Sequence, residues 1–228
     1  SMEKGSQQKE IIPLFPLPST VFYPGTPLPL HIFEPRYRQM TLDALESERK
    51  IGMVLLKPGW EDSYFDRPEI FSVGCLGAIE KEIRHPDGKY DFTLVGLSRF
   101  RVLREVDGGP YRRAEIDLLE EQNDQEIGEG PNATRDSLLD RYREFISMVP
   151  DNNSLKKELD RDPDHKLSRF VDRIAYRQDL SLKQKQTFLE EQDVLHRAEF
   201  LHSFLKTKIE LVLISKSRNV TPDSVRWN

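Results

Sequence analysis

The chain is nearly devoid of cysteine: Cys75 stands alone in 228 residues. An intramolecular disulfide is excluded, and a multi-cysteine zinc site lacks its ligands. No apolar run approaches the ~18 residues that a membrane-crossing helix requires. The opening stretch Ser1–Glu10 is polar and lacks the apolar core of a secretory leader. These features predict a cytoplasmic protein with no membrane partner. An excess of positive charge is also missing. Lys and Arg total 34 against 39 Asp and Glu, a net charge of −5, which argues against non-specific nucleic-acid binding as the main role.

The familiar catalytic motifs are absent too. A phosphate-cradling G-x-x-x-x-G-K-[ST] loop needs a hydroxyl residue after its lysine, but Gly88-Lys89 is followed by Tyr90. The run Gly96-Leu97-Ser98-Arg99-Phe100 begins like a nucleophile elbow and lacks its last glycine. H-E-x-x-H does not occur. His196 and His202 lie six apart on a predicted helix, about 240° around its axis, so they diverge. His31, His85 and His165 are isolated in sequence and read as structural or surface residues. The many carboxylates contain no pair that stands out as general acid and base. The expectation is a protein that is not an enzyme, with no catalytic residue, no metal site and no cofactor. A hydrolase using Ser98 or His31 ranks last among the alternatives.

What is present changes character near residue 120. Seven of the 15 prolines fall between Pro13 and Pro35. Proline cannot donate to a sheet ladder, so this stretch predicts extended segments, turns and edge strands. Pro24-Gly25 signals a turn, and Pro35 suits the first position of a helix whose face holds Tyr37, Thr41, Ala44 and Leu45. Gly52–Leu56 and Phe71–Ile79 read as strands, the second with Gly74 and Gly77 inside it. His85–Lys89 reads as a hairpin loop. Tyr90, Phe92 and Leu94, then Phe100 and Val102, then Ala114, Ile116 and Leu118 alternate with polar residues, the period of strands with one wet face.

Beyond Glu120 the period becomes helical. Leu138, Tyr142, Phe145 and Val149 share one face, as do Leu167, Phe170, Val171, Ile174 and Ala175. Ser181 is a predicted N-cap for a helix through Leu189. Asp193 caps a last helix striped by Val194, Ala198, Leu201, Leu205, Ile209 and Val212. The predicted class is α+β. An antiparallel β-rich lobe over 10–121, a twisted sheet or pseudo-barrel with one helix, precedes an exposed linker over 122–134. A helical bundle over 135–216 follows, then a tail over 217–228.

Two groups of residues stand out as contact surfaces. Trp60, Tyr64 and Phe65 lie in a polar loop, where aromatics either mark a contact surface or fold back as a lid on the core. Arg99, Arg101, Arg112 and Arg113, with Arg104, form a candidate basic stripe for RNA, though pairing with nearby carboxylates is the commoner use of such arginines.

Several segments, taken in order, resemble a known family. They are Pro13–Leu17, Val21–Gly25, Pro29–Arg38 (PLHIFEPRYR), Ile51–Val54, Val73–Gly77, Leu94–Val102 and Tyr111–Ala114. Together they resemble the N-terminal substrate-recognition domain of the Lon ATP-dependent protease, over roughly residues 10 to 215. The later helices resemble that domain's helical extension. The resemblance implies a PUA-like β lobe followed by helices. It also implies a role in binding unfolded or degron-bearing polypeptide, or a partner protein, with His31, Arg36 and Tyr37 joining the aromatic loop as candidate peptide contacts. A complete Lon protease carries ATPase and Ser-Lys proteolytic modules, and neither lies within these residues. The expectation is therefore a stand-alone, non-catalytic, ATP-independent binding module, with RNA binding through the PUA-like lobe as the alternative.

Overall fold

A computed structural model describes the protein over residues 9–127, 130–159 and 166–218. His165 and most of the predicted tail lie outside these residues. The fold is α+β, with a mixed six-stranded sheet and six α-helices among the described residues. It divides into two compact units, and the division does not follow a simple β-then-α order.

The first unit comprises the residues up to Glu120 together with Leu180–Gln192. Its strands are β1 (Lys9–Leu17), β2 (Pro27–Ile32), β3 (Lys50–Leu55), β4 (Val73–Arg84), β5 (Tyr90–Val106) and β6 (Arg113–Leu118), with helix α1 (Pro35–Leu45) between β2 and β3. The sheet order is β2-β5-β4-β3-β1-β6, and β6 also pairs with β5. Strands β1, β3, β4, β5 and β6 thus close a ring, with β2 attached to the first half of β5. One pair departs from the antiparallel expectation: β1 runs parallel to β3 through Leu14↔Gly52 to Leu17↔Leu55. The chain leaves β1, adds β2 and α1, and returns as β3 in the same direction, a crossover that forces parallel pairing.

Strand β1 holds two prolines in the ring wall, a position that would ordinarily refuse them. Its first half pairs only with β6 and its second half only with β3. The Leu14 N–H donates to the Arg112 carbonyl on the β6 side. By alternation Pro16 also faces β6, past the Pro13↔Arg113 pair where that ladder stops, and Pro13 faces β3, one residue before the ladder with β3 starts at Leu14↔Gly52. Each missing donor falls on an unpaired edge. The core inside the ring is Ile12, Leu14, Val54, Leu76, Phe100, Ala114 and Ile116. Gly52 and Gly74 both flank the Phe100 ring, and a Cβ on Gly74 would collide with the Met53 carbonyl oxygen. Gly77 lies against Leu94 beside a β-bulge. These glycines mark close approach of backbone and ring. At Tyr23–Thr26 the glycine does a different job: Gly25 takes φ 75° after Pro24, and Thr26 N and Oγ1 both bond the Tyr23 carbonyl.

Helix α5 (Leu182–Glu190) belongs to this unit, although the sequence pattern grouped it with the other helices. It starts with a full capping box, Ser181 Oγ accepting from Gln184 N and Gln184 Oε1 from Ser181 N. Its Phe188 ring meets Tyr23 edge-on, and the Gln186 amide donates to the Val73 carbonyl at 3.0 Å. Its last carbonyls are the usual orphans of a helix end. The buried Arg99 guanidinium fills that need by donating from Nε to the Leu189 carbonyl at 2.9 Å.

The second unit comprises Glu121–Asp179 and the residues from Asp193 onward. It contains α2 (Ala133–Ser147), α3 (Asn153–Leu159), α4 (Leu167–Tyr176) and α6 (Val194–Ser217). The predicted stripe of α6 is buried at all six positions. Asp193 caps this helix by accepting from Leu195 N and His196 N. The segment expected as an exposed linker is tied to this unit's helices at several points. Gln122 bridges Asp193, the Gln125 carbonyl accepts from Leu167 N, and the Asp124 carboxylate accepts from Ser168 N and Oγ. Its polar residues serve as helix caps, Asp124 for α4 and Asn132 for α2. Residues 128 and 129 of the segment lie outside the described residues.

Candidate functional site

Strand β3 ends at Leu55, and the chain makes an excursion before β4. Backbone bonds close the base of that loop: Lys57 N to the Glu69 carbonyl at 2.8 Å and a bridge between Leu56 and Ile70. At its tip Gly59, at φ 92°, opens a single 3-10 turn over Trp60–Ser63. The returning arm is held from below by Arg112. Its Nη1 donates to the Pro68 carbonyl at 2.7 Å, while Nε and Nη2 grip both oxygens of Glu105 at 2.7 and 2.9 Å.

The loop tip is fastened to the start of α1. Tyr64 donates its hydroxyl to Glu34 Oε1 at 2.6 Å, and Arg36 Nε donates to Glu34 Oε2 at 3.2 Å. Glu34 is the N-cap residue of α1, yet its side chain makes no capping bond. The carboxylate serves the loop instead. The Arg36 guanidinium lies over Tyr37 at 4.6 Å, Tyr64 at 5.2 Å and Phe65 at 6.0 Å. Trp60 and Phe65 each meet the Tyr64 ring edge-on, at 5.7 and 5.0 Å. Tyr37 is buried and stacks on Phe15.

The electrostatics follow from this packing. Burial pushes the Tyr37 hydroxyl up to about 12, against the pull of Arg36. Burial and the Glu34 bond raise Tyr64. Arg36 loses some of its proton affinity to burial, and Tyr37 and Glu34 more than restore it. The result is a fixed aromatic ledge around a neutralised ion pair. Phe65 is 84 % exposed on this ledge. The loop is anchored at four places and holds a large apolar side chain in water.

Five of the six candidate peptide contacts, Arg36, Tyr37, Trp60, Tyr64 and Phe65, meet in this one cluster. His31 does not. It lies on β2 opposite Asp91, whose carboxylate accepts from His31 Nδ1 and His85 Nε2, both at 2.6 Å. These two bonds pull the Asp91 carboxyl below its usual range. Phe33, 57 % exposed, stacks beside His31. A cavity of about 500 Å³ is lined by His31, His85, Pro86, Asp87, Lys89 and Asp91. No group of three His, Cys, Asp or Glu arranged for a metal ion occurs among the described residues. Glu34 and Phe33 were missed as members of these surfaces. Both immediately precede Pro35, and the helix-start reading masked any other role.

The candidate RNA stripe does not form. Arg99 is 1 % exposed and Arg112 9 %, each spent on internal carbonyls or carboxylates. Arg101 is exposed, and Arg113 is half-buried. The strand period placed Arg99, Arg101 and Arg113 on strands, whereas Arg112 lies one residue before β6. The period could not show that α5 would cover Arg99 or that Pro68 would claim Arg112. Ser98 Oγ donates to the Arg99 carbonyl at 3.0 Å, and its hydrogen bonds among the described residues include no histidine.

The family profile described as the ATP-dependent protease La (LON) substrate-binding domain matches residues 11–207. The chain belongs to the Lon substrate-binding domain family. Lon protease from Dictyoglomus thermophilum is 28 % identical over 207 residues, covering 90 % of this chain and 25 % of that protein. Lon protease 2 from Myxococcus xanthus is 28 % identical over 206 residues, covering 90 % of this chain and 24 % of that protein. The chain therefore spans about a quarter of the length of these relatives. A Lon N-terminal domain protein from Xanthomonas campestris superposes with a TM-score of 0.60 at 26 % identity, covering 85 % of this chain and 98 % of that one. The N-terminal domain of the Mycobacterium avium complex Lon protease superposes with a TM-score of 0.63 at 18 % identity, covering 86 % and 98 %, and shares the fold. No helix among the described residues is long and apolar enough to cross a membrane. The anchored ledge lies inside the matched Lon substrate-binding region.

Proposed function

We propose that this domain binds polypeptide segments with exposed apolar side chains, at the ledge of Trp60, Tyr64 and Phe65, and performs no chemistry on them. The observation that carries the reading is Phe65, 84 % exposed on a loop tied down through Tyr64 and Glu34. Membership of a substrate-binding family supports polypeptide as the ligand class. Preorganisation supports it physically, because a rigid aromatic contact loses little entropy when a flexible chain lies on it. Binding of this kind draws on no nucleotide, so the domain binds clients without ATP, in the reducing cytoplasm that suits the buried free thiol of Cys75.

The test is fluorescence anisotropy of a labelled, permanently unfolded protein titrated with the domain in nucleotide-free buffer. Saturable binding is expected, weakened severalfold by Phe65→Ala and further by the double change with Trp60→Ala. Absence of binding at high micromolar domain, or binding indifferent to both changes, overturns the reading.

A further inference from the structure

The loop that carries the ledge has a one-sided charge balance. Its own cations are engaged, Lys57 with Glu69 at 4.0 Å and Arg67 with Asp107 at 3.1 Å, and Arg36 of α1 beneath it pairs with Glu34 at 3.2 Å. Glu61, Asp62 and Asp66 are exposed and have no ion-pair partner among the described residues. They sit within the same short tip as Trp60 and Phe65, two on the 3-10 turn and one directly after Phe65. The apolar contact is thus bordered by three carboxylates and no unpaired cation of its own loop.

An aromatic face attracts a cation through its quadrupole, and neighbouring carboxylates lower the energy of the same cation further. An acidic segment meets repulsion from the rim before its apolar residues reach Phe65. We propose that the ledge prefers polypeptide segments in which apolar residues alternate with Lys or Arg, and discriminates against acidic ones. The inference rests on the polypeptide-binding reading above and adds the charge class of the segment.

The experiment compares three labelled peptides of about twelve residues with the same apolar residues, their remaining positions Lys, Ser or Glu in turn. At low salt the basic peptide should bind about fivefold to tenfold tighter than the neutral one, and the acidic peptide weakest. That spread should collapse near 0.5 M salt, where the screening length falls to about 4 Å. The triple change Glu61→Gln/Asp62→Asn/Asp66→Asn, all at exposed positions, should abolish the spread and leave the neutral peptide unaffected. Phe65→Ala should weaken all three, and circular dichroism checks that each variant is folded. Equal binding of the three peptides overturns the charge preference and leaves the polypeptide-binding reading standing. Failure of every peptide to bind removes both. Concentration-dependent self-association that Phe65→Ala dissolves would identify a second copy of the chain as the occupant and also overturn the proposal.

Discussion

The Tyr64 hydroxyl donates to Glu34 Oε1 at 2.6 Å, joining the loop tip to the N-cap residue of a helix 30 positions earlier. Tyr64→Phe removes this bond and leaves the ring contacts in place. The expected loss of stability is about 1 kcal/mol, a fall in melting temperature of about 2–4 °C for a chain of this size. Local effects should exceed the global one. Amides of 60–66 should exchange faster with solvent, and affinity for an apolar peptide should drop because the ledge is no longer held. Glu34→Gln keeps an acceptor oxygen and should retain most of the binding that Glu34→Ala loses. Unchanged exchange in the loop of Tyr64→Phe would show that the base bonds alone hold it.

Two tyrosines make the first unit sensitive to alkali. Tyr37 is raised to about 12 chiefly by burial, and Tyr111 to about 12 by burial and its 2.6 Å bond to Asp43. Above pH 10 the unfolded chain releases these protons while the folded chain keeps them. The unfolded state then binds fewer protons, so stability falls as pH rises from 10 towards 12. Urea unfolding at stepped pH should show this decline. Tyr111→Phe should make it shallower, at the cost of the Asp43 bond at neutral pH. A stability that stays level through this range would contradict the protonated state of both hydroxyls in the folded chain.

Arg99 and Arg101 stand two residues apart on β5, with unlike consequences. Arg99 is buried with its Nε on the Leu189 carbonyl, whereas Arg101 is exposed. Arg99→Met should cost roughly 2 kcal/mol or more, since a charged donor and a helix-end carbonyl lose their partner. The loss should appear first as release of α5, seen as faster amide exchange over 182–190. Arg101→Ala should change stability by no more than about 0.5 kcal/mol. RNA retention on a filter should be weak for the unchanged chain and unaffected by Arg101→Ala. Strong, salt-sensitive retention lost in that variant would revive the nucleic-acid reading.

The features legible in the sequence were those decided within a few residues. Ser181 and Asp193 cap helices because a side-chain oxygen reaches an amide two or three positions on. His85–Lys89 turns because Gly88 accepts φ 87°. The apolar stripe of α6 follows from helical spacing alone. Features set by distant partners were not legible. The parallel pairing of β1 with β3 depends on a crossover through β2 and α1. Phe188 and Leu189 would suit either unit equally well, so their pattern could not assign α5 to the strands. The aromatic loop was visible as a candidate from its composition, but the bonds that tie it down come from Glu34 and Arg112, far away in sequence. Nothing in a run of Trp, Tyr and Phe announces such a tether.

Strand β2 bears on how a polypeptide does not bind. The Gly96 N–H donates to the Thr26 carbonyl, so Leu28, Leu30 and Ile32 face β5 by alternation, and Pro27, Pro29 and His31 face outward. The open edge therefore offers three carbonyls and a single N–H, at His31. A bare edge of this length invites another strand, and proline is a common way to refuse one. Pro29→Val restores an outward donor and adds a β-forming side chain. It should raise the mass measured by light scattering as concentration increases, relative to the unchanged chain. Pro29→Lys restores the same donor with a charge on it and should associate far less, which separates edge pairing from simple loss of the proline ring. If Pro29→Val leaves the mass unchanged at every concentration, the prolines are not what keeps this edge closed, and an extended client pairing along β2 becomes the competitor to the aromatic ledge.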